Sequence, residues 1–405
     1  MLLCPKPPHN PMSNPTITRM SSQRLISLDV LRGLTVMLMI FVNNGAGEQI
    51  FAQLQHSRWN GMTLCDLVFP FFLFIMGVST YLSLRKTQFV WSARLGRKIA
   101  RRTLLLFVIG LAINWFDMAC SGRPFDLSHL RIMGVMQRIA LCYGATALIA
   151  VGCQRWLHGF RAMPAIIAAL LAAYGALLLM GQGYAYDAAI NLLSRVDQAV
   201  LGHAHLYHKS PVDPEGLVST LAAVAHTLAG FYVAHWALGP GRDGAGPAAR
   251  RSMMRFAAAG TVLAVVGLAL SPLLPLNKRV WSPSYVCLSC GLAALLQALL
   301  ILLVDLWRRP APHTAATPTG TLRPRQGTAV SLTLIFGTNP LFLYVASEAI
   351  AIVLGATGIK AAAYDGIHAI VANGYWASAA YAALFVAVHT LMGYPLWRRH
   401  IYIKL

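Results

Sequence analysis

The stretch FAQLQHSRWNGMTLCDLVFPFFLFIMG, residues 51–77, joins two apolar runs through a short polar patch. The second run continues from Thr63 to Leu84, and about 20 apolar residues are what a helix needs to cross a hydrocarbon core roughly 30 Å thick. Backbone groups in lipid must bond within their own segment, so only helices or a closed barrel can span it. The run is continuous rather than alternating, which selects a helix. At its mouth stand His56, Trp59 and Asn60, and its first turn carries Asp66 into the apolar layer.

The rest of the chain follows the same pattern. Of 405 residues, 57% are hydrophobic and 11% charged, with a mean hydropathy of +0.58; a soluble domain carries about 25% charged residues. The expected fold class is all-α, a polytopic membrane bundle of about ten transmembrane helices. The spans are expected at 26–44, 63–84, 103–120, 132–152, 164–183, 215–238, 256–276, 284–305, 330–352 and 377–396. An even number of crossings leaves both termini on one side.

Positive charge sets the orientation. The segment 85–102 holds Arg85, Lys86, Arg94, Arg97, Lys98, Arg101 and Arg102 with no acid, and Arg155, Arg161, Arg250, Arg251, Arg255, Arg308, Arg309, Arg398 and Arg399 fall on the same side. The opposite loops hold fewer cations, among them Arg58, Arg123, Arg131, Lys278 and Arg279. Both termini are therefore expected in the cytoplasm, as in a multi-pass protein of a bacterial inner membrane, with the His56 loop outside. The formal net charge of +20 follows from this bias and from contact with the anionic lipid bilayer. No basic domain stands apart to serve a nucleic acid.

Residues 1–23 are rich in Pro and Asn and lack the apolar run of a signal peptide. They are expected to form a disordered cytoplasmic tail, and Met20, opening a compact MSSQRLISLDV, is a second candidate start. Residues 24–405 are expected to form one membrane domain. It shows no repeat clear enough for an inverted-repeat transporter, and PAPHTAATPTGTLRPRQG, residues 310–327, reads as a flexible linker. The CxxC of Cys287 and Cys290 has no second pair and reads as packing. His203, His205 and His208 lack the spacing of a known zinc site, so no metal is expected.

A charged side chain in a membrane helix costs roughly 2.5–3.5 kcal/mol and usually faces a bundle interior or cavity. Following the helix directions, the outer half collects Asn43, His56, Asp66, Asn114, Asp117, Gln137, Arg138 and Glu348, with Asn339 midway along the ninth span. Two readings stand. In one they line an outward-facing chamber, with Trp59, Asn60, Asp66, Asn114, Asp117, Arg138 and Glu348 contacting a substrate. In the other they are structural pairs, such as Arg138 with Asp66 or Asp117. Asp29 and Arg32, three residues apart on one helix face, read as an ion pair or as an anion site. Arg97, Lys98, Arg101 and Arg102 read as positive-inside charge or as phosphate ligands. His56 is the sharpest candidate, because an imidazole titrates near neutrality and can take a proton and return it.

RLISLDVLRGLTVMLMIFVNN, HSRWNGMTLCDLVFPFFLFIMG, GVMQRIALCY, DPEGLVSTLAAVAHTLAG, NKRVWSPSYV and NPLFLYVASE occur here in that order. In them the chain resembles heparan-alpha-glucosaminide N-acetyltransferase and its bacterial NagX-like relatives, from about Arg24 to Leu405. The resemblance implies transfer of an acetyl group from cytoplasmic acetyl-CoA, a co-substrate, to the amine of a terminal glucosamine across the membrane. It implies His56 as the catalytic histidine and Asn43 as the asparagine acting with it; Asn44 stands ready to share or replace that role. It also implies that Arg32, Arg97, Lys98, Arg101 and Arg102 are the candidates for the CoA phosphates, and that a homodimer forms. The lysosomal members carry a further N-terminal lumenal region not seen in this sequence, so a small amino sugar is expected as acceptor. Direct transfer in a ternary complex is favoured over an acetyl-histidine intermediate. An amino-sugar transporter and an O-acyltransferase of an envelope glycan remain as alternatives.

Overall fold

The computed structural model describes residues 25–180, 192–207, 212–239, 247–307 and 328–403. The expected tail at 1–23, the linker at 310–327 and His208 lie outside the described residues. Those described form thirteen α-helices and no strand: α1 (Ile26–Asn43), α2 (Leu64–Arg85), α3 (Ala93–Cys120), α4 (Val135–Trp156), α5 (Met163–Leu179), α6 (Leu192–Leu201), α7 (Thr220–Leu238), α8 (Pro247–Leu270), α9 (Pro283–Leu300), α10 (Thr328–Thr338), α11 (Pro340–Ala356), α12 (Ile359–Ile370) and α13 (Gly374–Arg398). Eight of them are long and apolar enough to cross a membrane, and α5, at 17 residues, is a shorter apolar helix. The protein is a polytopic helical membrane bundle.

Each expected span falls on a helix, with three corrections. The ninth is not straight: α10 and α11 meet at an angle of 80°. Pro340 brings no N–H and opens α11 at its first turn, where that donor is not needed. Asn339 is therefore a corner rather than a mid-span group; its Nδ2 donates to Ile401 O at 2.8 Å, and Ile403 N donates to its Oδ1 at 2.8 Å. Second, α3 begins at Ala93 rather than at 103, because Ser92 Oγ caps the N–H of Leu95 at 3.1 Å. Arg94, Arg97, Lys98, Arg101 and Arg102 thus ride on the helix and not on a loop before it. Third, the short helices α6 and α12 were not foreseen, since a search for spanning lengths passes over segments of 10 and 12 residues.

Helices in lipid gain little from burying apolar area against one another, so close backbone approach and packing decide their contacts. The pairing of α2 with α7 shows this. A Cβ placed on Gly77 would overlap the carbonyl oxygen of Thr227, and one placed on Gly230 would overlap that of Phe74. Around this crossing Phe231 meets Tyr81, Phe89 and Phe160 edge to face, as Phe89 meets Phe160, with ring centroids 4.8–6.1 Å apart. Because α2 also carries Asp66, the same crossing fixes the depth of that carboxylate.

Gly77→Ala is therefore expected to lower the melting temperature of the purified protein by the equivalent of about 1–3 kcal/mol. Gly355→Ala, where an added Cβ meets open space, serves as the control. Equal melting temperatures for the two variants would contradict this packing.

Candidate active site

At the start of α2, Thr63 is the extended residue before the first turn and Asp66 the third residue of the helix. That spacing lets Asp66 fold back on the helix entrance. Its Oδ2 accepts from Thr63 N at 3.1 Å, Thr63 Oγ1 at 3.0 Å and Ser57 N at 3.0 Å. Oδ1 is left for the imidazole of His56, whose Nδ1 lies 2.8 Å away. A carboxylate only accepts, so Nδ1 carries the hydrogen and Nε2 keeps its lone pair. Asp66 is wholly buried, whereas the His56 side chain is 49% exposed. A buried anion at a positive helix end thus orients an imidazole that remains accessible.

A second loop closes on the first. Gly61 N donates to Leu276 O at 2.7 Å, and Asn277 Nδ2 donates to Asn60 Oδ1 at 3.1 Å. Asn277 Oδ1 in turn accepts from Arg279 N and Val280 N at 2.8 and 3.2 Å. The next residues, Trp281 and Tyr285, are buried, and Tyr285 OH donates to the carbonyl of Asp66. This loop delivers Lys278, with Nζ 3.1 Å from His56 Nδ1, 3.2 Å from Nε2 and 3.9 Å from Asp66 Oδ1. Cys65 Sγ lies 3.2 Å from His56 Nδ1.

These groups form one wall of a cavity of about 280 Å³. Asn43 and Glu348 also line it and hydrogen-bond to each other, and Glu348 takes a further bond from Tyr344. The remaining wall includes Arg131, whose Nη2 binds Asp213 Oδ1 at 2.9 Å and Glu215 Oε2 at 2.7 Å, with its guanidinium over the ring of Tyr207. The cavity can therefore present a base, a cation, carboxylates and an amide to one small polar molecule.

Of the residues singled out in the sequence, Asn43, His56, Asp66 and Glu348 come together here. Others support the site without lining it. Asn60 staples the two loops, Trp59 packs against the core, and Asn114 Nδ2 holds the backbone oxygen of Arg131 at 2.8 Å. Asp117 is exposed on α3. Arg138 is fully buried and pairs with neither Asp66 nor Asp117: it donates to Gly216 O and Ser219 Oγ and lies over the Trp281 ring. Its hydrogen bonds go to two neutral oxygens, and the carboxylates that feel its charge are Asp197 and Glu215 rather than Asp66 or Asp117. Asn44 is buried too, its Nδ2 turned back to Ile40 O at 2.7 Å, and it does not line the cavity as Asn43 does.

Farther off, Arg32 binds Asp29 at 3.0 Å and Ser79 Oγ at 2.9 Å, as the ion-pair reading expected. Arg97, Lys98 and Arg101 are exposed on α3, and Arg102 stacks over Tyr143. Cys287 and Cys290 are buried, free thiols. Among the described residues no three His, Cys, Asp or Glu side chains stand close enough to hold a metal.

Lys278, Arg279, Arg131 and Glu215 are charged lining groups that sequence reasoning missed as site residues. The three cations were counted only as outer-loop charge. The usable signal was their position: Lys278 sits inside the NKRVWSPSYV motif and Glu215 inside DPEGLVST.

Residues 24–198 match the family described as heparan-alpha-glucosaminide N-acetyltransferase, catalytic. Heparan-alpha-glucosaminide N-acetyltransferase of Mus musculus is 30% identical over 331 residues, which is 68% of this chain and 49% of that protein. Its counterpart in Homo sapiens is 28% identical over 344 residues, 70% of this chain and 49% of that one. The chain thus spans about half the length of the curated relatives it matches. Asn43, His56 and Asp66 fall within the family segment; Lys278 and Glu348 lie beyond it.

Replacing Asp66 by Asn keeps an oxygen for the helix entrance but removes the carboxylate beside His56. In protein carrying ¹⁵N-labelled histidine, the wild-type His56 ring is expected as the Nδ1–H tautomer, with Asp66→Asn shifting it toward a mixture of the two tautomers. Unchanged ring ¹⁵N shifts in the variant would contradict the pairing.

Proposed function

The chain belongs to the heparan-alpha-glucosaminide N-acetyltransferase family, and on that premise we propose that it is a membrane N-acetyltransferase using acetyl-CoA. The acceptor is the amine of glucosamine or of a small sugar ending in it. The observation that carries this reading is the His56–Asp66 pair on the wall of a polar cavity.

An ordinary amine is protonated at neutral pH and must give that first proton to water before it can attack. The nitrogen of the free amine then bonds to the thioester carbon while His56 Nε2 takes a second proton from it, and Asp66 stabilises the imidazolium that results. The carbon–sulfur bond breaks, and the proton on His56 passes to the departing CoA sulfur. Base and acid are thus one residue used twice, and transfer is direct, within a ternary complex. Asn43 orients the acetyl group from the opposite wall. Asp66 is wholly buried and engaged by Ser57 N, Thr63 N and His56 Nδ1, so the sugar hydroxyls fall to Glu348 rather than to Asp66.

The donor's anionic head is held at the basic, cytoplasmic ends of the helices, where Arg32, Arg97, Lys98, Arg101 and Arg102 lie. The pantetheine arm threads between helices toward the His56 cavity, which faces the periplasm across a bacterial inner membrane. The positive-inside bias supports this orientation.

Proteoliposomes loaded with acetyl-CoA and given external glucosamine test the proposal. Free CoA should accumulate inside and an amide of the sugar outside, with His56→Ala reducing the rate about 10²- to 10⁴-fold. Uptake of unmodified sugar without CoA release indicates a transporter, and an ester product indicates O-acyl transfer; either result overturns the proposal.

A further inference from the structure

We propose that Lys278 is a further catalytic residue, whose ammonium receives the carbonyl oxygen of the acyl donor as that oxygen becomes negative. The inference rests on the acyl-transfer reading above and adds an electrophile to it.

Its position is the first argument. Lys278 Nζ stands almost equally far from both ring nitrogens of His56, at 3.1 and 3.2 Å. The Nε2 lone pair points in the ring plane, away from Nδ1. A donor aligned with it would lie far from Nδ1, so Lys278 does not block the base. It sits beside the ring, next to the atom that takes and returns the proton.

The looseness of its pairing is the second. The side chain is only 11% exposed, and its ion pair with Asp66 Oδ1, at 3.9 Å, is too long to be a hydrogen bond. Asp66 already accepts from Ser57 N, Thr63 N and His56 Nδ1 at 2.8–3.1 Å, all closer than Lys278. Glu215, also on the cavity wall, is committed to Arg131 at 2.7 Å. An ammonium sheltered from water and held by a carboxylate only at ion-pair distance is incompletely satisfied. That shortfall is met when an oxygen arrives that carries charge only in the transition state.

The third argument is rigidity. Asn277 accepts from the two N–H groups that follow Lys278 and donates to Asn60, while Lys278 O accepts from Trp281 N at 3.1 Å. Both flanks of the lysine are pinned to the loop that carries His56. A donor fixed in advance needs no reorganisation at the moment of reaction. Asn43, the other candidate donor, is hydrogen-bonded to Glu348.

In the step proposed, the amine nitrogen bonds to the thioester carbon and the carbonyl π pair moves onto oxygen, where Lys278 donates an N–H to it. His56 Nε2 takes the proton from the amine nitrogen. The C=O then re-forms, the carbon–sulfur bond breaks, and the proton on His56 goes to the CoA sulfur. Lys278 stays protonated throughout.

The test compares acetyl-CoA with fluoroacetyl-CoA as donors to glucosamine, using the full chain in nanodiscs as wild type, Lys278→Met and Lys278→Arg. An electron-poor acyl group needs less help in bearing negative oxygen. Lys278→Met is expected to lower kcat with acetyl-CoA about 10²- to 10³-fold, with KM for both substrates little changed and a clearly smaller loss for fluoroacetyl-CoA. Lys278→Arg, which keeps the charge, should show the same donor dependence with a smaller defect, and it carries the test if Lys278→Met does not fold. Wild-type kcat in the folded variants, or an equal loss with both donors, overturns the role of Lys278 while leaving the acyl-transfer reading intact. A wild type that transfers neither acyl group overturns that reading and this inference with it.

Discussion

One carboxylate does two jobs on which the site depends. Asp66 completes the start of α2 through Thr63 and Ser57, and with its remaining oxygen it holds His56 at 2.8 Å. Burying a carboxylate at the head of a membrane helix is costly unless donors surround it. Here the donors come from the loop that must be positioned, so satisfying the charge and placing the imidazole are the same event. The tight crossing of Gly77 with Gly230 then anchors the helix behind it.

The same economy recurs deeper in the bundle. Arg138 is enclosed by the carbonyl of Gly216, the hydroxyl of Ser219 and the face of Trp281, with the Asp197 and Glu215 carboxylates near enough to feel its charge. Trp281 belongs to the loop that presents Lys278, and Gly216 follows Glu215 on the cavity wall. A buried cation thus ties together two segments far apart in sequence, behind the cavity rather than on its lining. Distinguishing those positions needs the third dimension.

What could be read in advance follows from this. The spans were legible because lipid demands length and continuous apolarity, and the Asp29–Arg32 pair because three residues bring side chains together on one helix. His56 and Asp66 were legible as polar groups at a helix mouth, and as part of a motif. That they touch was not foreseen, although Thr63 and Asp66 have the spacing of a helix start. Lys278 escaped because 222 residues separate it from His56, and nothing local marks a loop cation as inward-facing. The 80° corner at Asn339 was signalled by Pro340 but concealed by the apolar residues on either side. The early start of α3 was concealed for the opposite reason, since arginines and lysines extend a helix beyond the apolar layer without adding hydropathy.

The central claim is that acyl transfer takes place at the His56–Asp66 pair. A structure of the full chain with a CoA analogue whose acyl group cannot be transferred tests it most directly. The acyl carbon is expected within about 4 Å of where an amine held by His56 Nε2 would attack, with the phosphates among the cations of the opposite helix ends. An acyl group ending outside the cavity lined by Asn43, His56 and Glu348 would contradict the account.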